Sequence, residues 1–509
     1  MKQLKNKIKH NIGYMLISLF LFSILVEYML INNLISTSKM SIGDYWIKYK
    51  YGIGLFIGLI FFFAVMGLLK KIGFNNQKIM LCGILGFEIF YFCLLPLGIV
   101  PDEREHFLRA YEISDGNFVS KHMLNSKQGG DRMPGNLRFF QYDNVEIDTK
   151  NYEDYIFSNT ALYAPVSYIP QTIGILIGKL FTDSVKKIFI FGRMGSAIIN
   201  FLICAWALKK TPVAKSLMFA IMMFPVAIQE MISMSPDGFT LSLSFAFIAL
   251  VLHLKYKKEN VSKKDILILM MLAIGVSLCK IVYIVLVMLV FIIPSSKLNN
   301  ARSVKVGIVG IAMIVNLLWL YIASDYLVEF NHGVNSGEQI MFVVSHPHAY
   351  FQVVSRTVFD SLQGWISTAI GSNLGYLNIA VTSLMWIVYA IVVMNETYHC
   401  SLEKIKLQKQ DSIVFLGIPI VGFILVCTSL YVQWTEYMAC SIAGIQGRYF
   451  LPFLLLILLF FVQQHQKKYK ANSGDSYEHC DRKYLLLIIF FCNCLALIDI
   501  VEFKILLGM

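Results

Sequence analysis

The stretch Val100-Pro-Asp-Glu-Arg-Glu-His-Phe-Leu-Arg-Ala-Tyr111 gathers more chemistry than any other segment of the chain. Asp102 and Glu105 have the spacing of a helix capping box, which predicts a helix starting at Glu103. On that helix Glu103 and His106 are neighbours at i, i+3, and Glu105 and Arg109 can pair at i, i+4. Adjacent carboxylates at Asp102 and Glu103 suit a general base, or a ligand for a divalent cation. Further along, Asp237 occupies a tight turn, Ser233-Met-Ser-Pro-Asp-Gly238. Lys280 interrupts an apolar run, and Arg448 follows Gln446-Gly447 at the mouth of another. A guanidinium there can grip a phosphate with two parallel hydrogen bonds. Arg193 lies in the first turns of an apolar segment, where a charge is costly and reads as functional. The simpler roles for these groups are capping, turn formation and snorkelling to headgroups.

Those side chains must be held by elements suited to a bilayer. Of the 509 residues, 57% are hydrophobic and only 15% charged. A soluble domain carries about 25% charged residues, so the composition excludes a soluble enzyme, a disordered chain and a disulfide scaffold. Ten cysteines form no Cys-x-x-Cys pair and read as buried thiols. Hydropathy marks thirteen candidate spans, near 13–35, 51–69, 78–99, 188–208, 216–234, 238–254, 265–279, 281–294, 304–323, 374–394, 412–431, 448–464 and 484–503. The expected fold is therefore an all-α polytopic membrane protein of about thirteen transmembrane helices.

The net charge of +12 fits this topology and implies no nucleic-acid partner. Seven short segments, 1–12, 70–78, 209–215, 255–264, 295–305, 395–411 and 464–483, hold 26 of the 44 basic residues. Placing them in the cytoplasm puts the N-terminus inside. Residues 100–187 and 324–373 then become external loops, the first holding about a third of the acidic residues. Residues 161–181 are apolar, but Pro165 and Pro170 break the helix. They are expected to form a helix that lies in the outer interface or dips partway into the membrane. Three regions follow: two N-terminal spans over 1–77, a core over 78–464, and a cytoplasmic loop with the last span over 465–509. No phosphate-binding glycine loop occurs, so no nucleotide cofactor is expected. The carboxylates at 102, 103 and 237 and the bases at 193, 280 and 448 all fall near one outer face. That is the depth at which a lipid-linked phosphate presents its headgroup.

Three stretches strengthen this reading by resemblance. Pro101-Asp-Glu-x-x-His-Phe-x-Arg-Ala-Tyr-x-x-Ser-x-Gly116 resembles the opening signature of a bacterial membrane-protein family, domain of unknown function 2142. Leu162-Tyr-Ala-Pro-Val-Ser-Tyr-Ile-Pro170 and Gln446-Gly-Arg-Tyr-Phe-Leu-Pro452 fit the same family, as does the Ser235–Gly238 turn. That family is similar to the polytopic glycosyltransferases of the GT-C fold, which carry an acidic motif on the first large external loop; the fold expected of this chain is GT-C-like, with a large external first loop of juxtamembrane helices. The resemblance implies a glycosyltransferase in the bacterial cytoplasmic membrane. It would move a sugar from a polyprenyl phosphate to an envelope glycan or lipid acceptor, with inversion. Asp102 or Glu103 would be the base. His106, Arg109, Tyr163, Arg193, Asp237, Lys280 and Arg448 would bind substrate, and any metal would sit between Asp102 and Asp237. Two departures are Ala164 before Pro165, where the family often has Pro-Pro, and the two spans before the core. The rival expectations are a transporter or flippase of a lipid-linked glycan, or a non-catalytic envelope-assembly protein.

Overall fold

The computed structural model describes residues 42–122, 128–324, 334–470 and 483–506. The expected span 13–35 and most of the loop 465–482 lie outside them. Helix α1 (Ile42–Lys71) and α2 (Asn76–Leu94) pack as a pair; Asn75 caps the second by accepting from the Lys78 N–H at 2.9 Å. The chain then turns into α3 (Glu103–Ser114), a three-stranded sheet, α4 (Ile169–Phe181) and α5 (Val185–Lys210). The remaining core holds α6 (Lys215–Met222), α7 (Pro225–Met231), α8 (Asp237–Tyr256), α9 (Lys263–Cys279) and α10 (Ala301–Ala323). Last come α11 (Ser336–Ser345), α12 (Pro347–Ile370), α13 (Ser383–Ser401), α14 (Asp411–Gln433), α15 (Leu451–Lys470) and α16 (Lys483–Leu506).

Among the described residues, eight helices are long and apolar enough to cross a bilayer, and each matches one of the thirteen expected spans. Four other expected spans are built differently. Pro225 cannot continue a helix from Phe224, so 216–234 divides into α6 and α7. The segment 281–294 winds as three short turns, and α9 has only 17 residues. The span expected at 374–394 opens instead as a hairpin, β4 (Asn373–Leu374) with β5 (Ile379–Ala380), and its helix starts at Ser383.

The first large loop corrects the all-α expectation. It contains β1 (Lys121–His122), β2 (Gly129–Gly135) and β3 (Asp148–Ile156), paired antiparallel with Gly130 opposite Ile156 and Asp131 opposite Tyr155. Glycine and proline at 129, 130, 134 and 135 are poor helix formers, which leaves the extended state to compete. A separate aromatic core fixes this sheet to the helices. Phe140 stacks on Phe189 of α5 with ring centroids 4.3 Å apart, and Phe107 of α3 packs at 5.1 Å from the same ring. In the second loop, α12 is a 24-residue helix that hydropathy does not mark; Trp365 on it packs against Phe423 of α14 and Phe450.

At 13 residues, α4 reaches only about 20 Å, short of the roughly 30 Å hydrocarbon core. It lies instead against α5. A Cβ on Gly195 would sit 2.3 Å from the Pro170 carbonyl, and one on Gly174 would sit 2.1 Å from the Phe191 carbonyl. Backbone meets backbone there, and nothing can yield. Gly195→Leu should therefore destabilise the protein by at least the usual overpacking cost of about 1–3 kcal/mol, read as a lower thermal unfolding midpoint in detergent. Gly67→Leu, whose Cβ meets nothing within 4 Å, is the matched control.

Two ends of the bundle can be told apart. Lys255 pairs with Asp411, Lys297 donates to the Leu254 and Lys255 carbonyls, and the Ala214 N–H donates to Glu403. These contacts join four of the basic segments. Asp237 opens the helix that Lys255 closes, so the chemistry-bearing residues lie about 30 Å away at the other end.

Candidate functional site

Glu103 is the structural keystone of that end. Its carboxylate is buried and takes the Arg193 guanidinium two-fold, Nε to Oε1 and Nη2 to Oε2, each at 2.7 Å. The Gly98 and Met234 N–H groups donate to the same carboxylate at 2.9 and 3.1 Å. Arg193 also donates to the Leu95 and Pro96 carbonyls, at 3.1 and 2.8 Å. One ion pair thus ties α5 and the turn before α8 to the loop leaving α2. Glu103 does not face His106, and neither Glu103 nor Arg193 lines the cavity described below.

The tied loop presents Asp102. Its backbone is left-handed, φ 54°, a region costly for most residues and tolerated by aspartate. The expected capping box does not form, because the Asp102 side chain makes no cap hydrogen bond in this conformation. Asp102 instead lines a cavity of about 350 Å³. Burial, with the nearby Glu105 charge adding, raises the Asp102 carboxyl above the ordinary range; the Tyr376 hydroxyl and Arg448 oppose that shift.

Around the same cavity stand His106, Tyr163, Lys280, Gln446 and Tyr449. His106 bonds the Tyr168 hydroxyl through Nδ1 at 2.7 Å, and burial lowers its pKa to about 3. It is a neutral group at ordinary pH and supplies no positive charge. Lys280 is held where α9 ends, with extended backbone, its ammonium 4.6 Å from the Tyr449 ring centre and 5.9 Å from that of Tyr163. Gln446 opens the Gln446–Pro452 stretch; its buried Oε1 has no hydrogen-bond partner among the described residues, an unmet acceptor beside the cavity.

Behind Lys280 lies a layer of paired charges. Asp237 reaches Lys280 at 2.5 Å and lies 3.2 Å from Arg448 Nε, while Arg448 Nη1 donates to Glu230 at 3.3 Å. Asp237 also sits in the first turn of α8, where the helix dipole favours a carboxylate. Two acids balance two bases, so Asp102 carries the charge that this layer does not neutralise. With Asp237 occupied by two cations, the metal site expected between Asp102 and Asp237 lacks its second donor. Among the described residues, no group of three or more His, Cys, Asp or Glu could hold a metal ion.

Arg109 stands apart. The expected pairing with Glu105 is replaced by a buried pair with Glu112, and Arg109 donates to the Phe118 carbonyl at 2.8 Å. It braces the loop before β1. Glu105 pairs with its neighbour Arg104.

The far wall of the cavity is apolar. Trp319, Leu320 and Ala323 of α10 face Val426 and Leu430 of α14, both helices long enough to span a bilayer. Trp319 is fixed by donating its Nε1–H to the Leu162 carbonyl at 2.9 Å. One compartment therefore offers a polar end with a raised carboxyl and an ammonium, and an apolar flank between two spans.

The family model described as predicted membrane protein, DUF2142, matches residues 85–457, more than half of the chain. No curated protein and no solved structure gives a significant match.

Proposed function

Starting from a chain that belongs to the DUF2142 family of predicted membrane proteins, we propose that this multi-pass membrane protein is a GT-C-like glycosyltransferase acting on polyprenyl-phosphate sugars at the outer face of a bacterial cytoplasmic membrane. The observation that carries this reading is the two-natured cavity. Asp102 and Lys280 stand at its polar end, and α10 and α14 form an apolar flank suited to an isoprenoid chain. Asp102 takes the proton from an acceptor hydroxyl, whose oxygen attacks the anomeric carbon as the bond to phosphate breaks. The polyprenyl phosphate leaves from the opposite face with the bonding electrons, giving inversion. Lys280 meets the charge that grows on it.

The other charges then take supporting parts. Asp237 holds Lys280 in place and is itself held by Arg448, while Glu103 and Arg193 hold the loop that presents Asp102. Tyr163, Tyr449, neutral His106 and the unpartnered Gln446 oxygen are the groups left to meet sugar hydroxyls. The acceptor is an envelope glycan or lipid.

A polyprenyl phosphate carrying a photoreactive group on its isoprenoid tail tests this arrangement. In nanodiscs it should cross-link to α10 and α14. Lys280→Gln removes one charge-assisted hydrogen bond, worth about 1.5–3 kcal/mol, so capture should fall about tenfold or more. Cross-links spread over unrelated helices, or capture unchanged in that variant, would count against the assignment.

A further inference from the structure

The hairpin formed by β4 and β5 reaches the base from 274 residues away in sequence. Its root is fixed in the core: Leu374 and Ile379 are buried, the Gly375 N–H donates to Gln229 Oε1 at 2.7 Å, and the Thr382 N–H donates to Asp499 at 2.9 Å. Gly375 and Leu377 both take positive φ, 60° and 63°, which closes the turn tightly around Tyr376. Tyr376 therefore projects from an anchored base, although the residue is 52% exposed.

The hydroxyl of Tyr376 meets Asp102 twice. It accepts the Asp102 backbone N–H at 2.6 Å and donates to Asp102 Oδ1 at 3.3 Å. The first contact pins a backbone held in the left-handed region at the start of α3. The second favours the ionised carboxylate, because the hydroxyl hydrogen bonds to the charged form. The carboxyl of Asp102 is then neither spent on capping its own helix nor free to swing.

We propose that Tyr376 is the positioning residue of the site: it holds the Asp102 backbone in the left-handed conformation and fixes the Asp102 carboxyl beside the cavity that Asp102 lines. This rests on the reading of Asp102 as the base, and its test needs no turnover. The full-length protein in nanodiscs is labelled with a water-soluble carbodiimide and an amine across a pH series, and modification of Asp102 is followed by peptide mass spectrometry. In Tyr376→Phe the midpoint for Asp102 should rise by about half a pH unit or more, since a donor to the carboxylate is gone. Exchange of the Asp102 amide hydrogen should quicken about fivefold, the effect of losing one ordinary hydrogen bond. Tyr376→Leu, which also removes the ring, should give both changes. Tyr142→Phe, at an exposed tyrosine of the first loop, should give neither. An unchanged midpoint and unchanged exchange in both Tyr376 variants would overturn the proposal. Shifts in both variants, in a protein that releases no lipid phosphate, would uphold the Tyr376–Asp102 coupling while refuting the transferase reading.

Discussion

Glu103→Gln should destabilise the protein by about 3–5 kcal/mol, the usual cost of stripping one partner from a buried ion pair. The variant leaves Arg193 charged and enclosed, with neutral carbonyls and the Phe189 ring but no carboxylate to answer it. It also weakens the acceptor for the Gly98 and Met234 N–H groups. Arg193→Met should do comparable damage from the other side. The double variant, Glu103→Gln with Arg193→Met, should be less unstable than the sum of the two, because no unpaired charge remains. Thermal unfolding in detergent for the four proteins of this cycle measures the coupling. Single variants that unfold at the parent midpoint would show that the pair does not bear the fold.

Asp102→Asn should have the opposite profile: an intact fold and transfer reduced about 10²- to 10⁴-fold, the range for loss of a general base. Asparagine tolerates the left-handed backbone as aspartate does, and the side chain makes no cap bond that its loss could break. The pH dependence follows from the direction of the shift. Burial holds the Asp102 carboxyl above the ordinary value, so the proton-accepting form is lost as pH falls through a midpoint above the usual carboxylate range. A rate profile of the wild-type protein should show that limb. His106, with its pKa near 3, contributes no limb at neutral pH.

Most of the site was legible as location, and much less of it as partnership. Sparse charge in a hydrophobic chain is informative, and Asp102, His106, Tyr163 and Lys280 do line one cavity. Asp237 and Arg448 stand directly behind them. The partners were hidden because local spacing speaks only for helical neighbours. Glu103 turns from His106 to Arg193, 90 residues on, and Arg109 prefers Glu112 to Glu105. Tyr376 lay inside an apolar run that reads as a span, so nothing marked its hydroxyl as the group that meets Asp102. The sheet in the first loop and the helix α12 escaped for a related reason. Their stability comes from packing against α3, α5 and α14 rather than from a strong period of their own.

The central claim is that Asp102 drives cleavage of a lipid-phosphate sugar. It is tested most directly by supplying a panel of radiolabelled polyprenyl-phosphate sugars to the purified protein in nanodiscs and scoring release of the lipid phosphate. The wild-type protein should release it and pass the label to a glycan or lipid acceptor. Asp102→Asn should bind the same donor and leave it whole. Release by Asp102→Asn at the wild-type rate would contradict the account, as would movement of the intact donor between leaflets by a wild-type protein that never cleaves it.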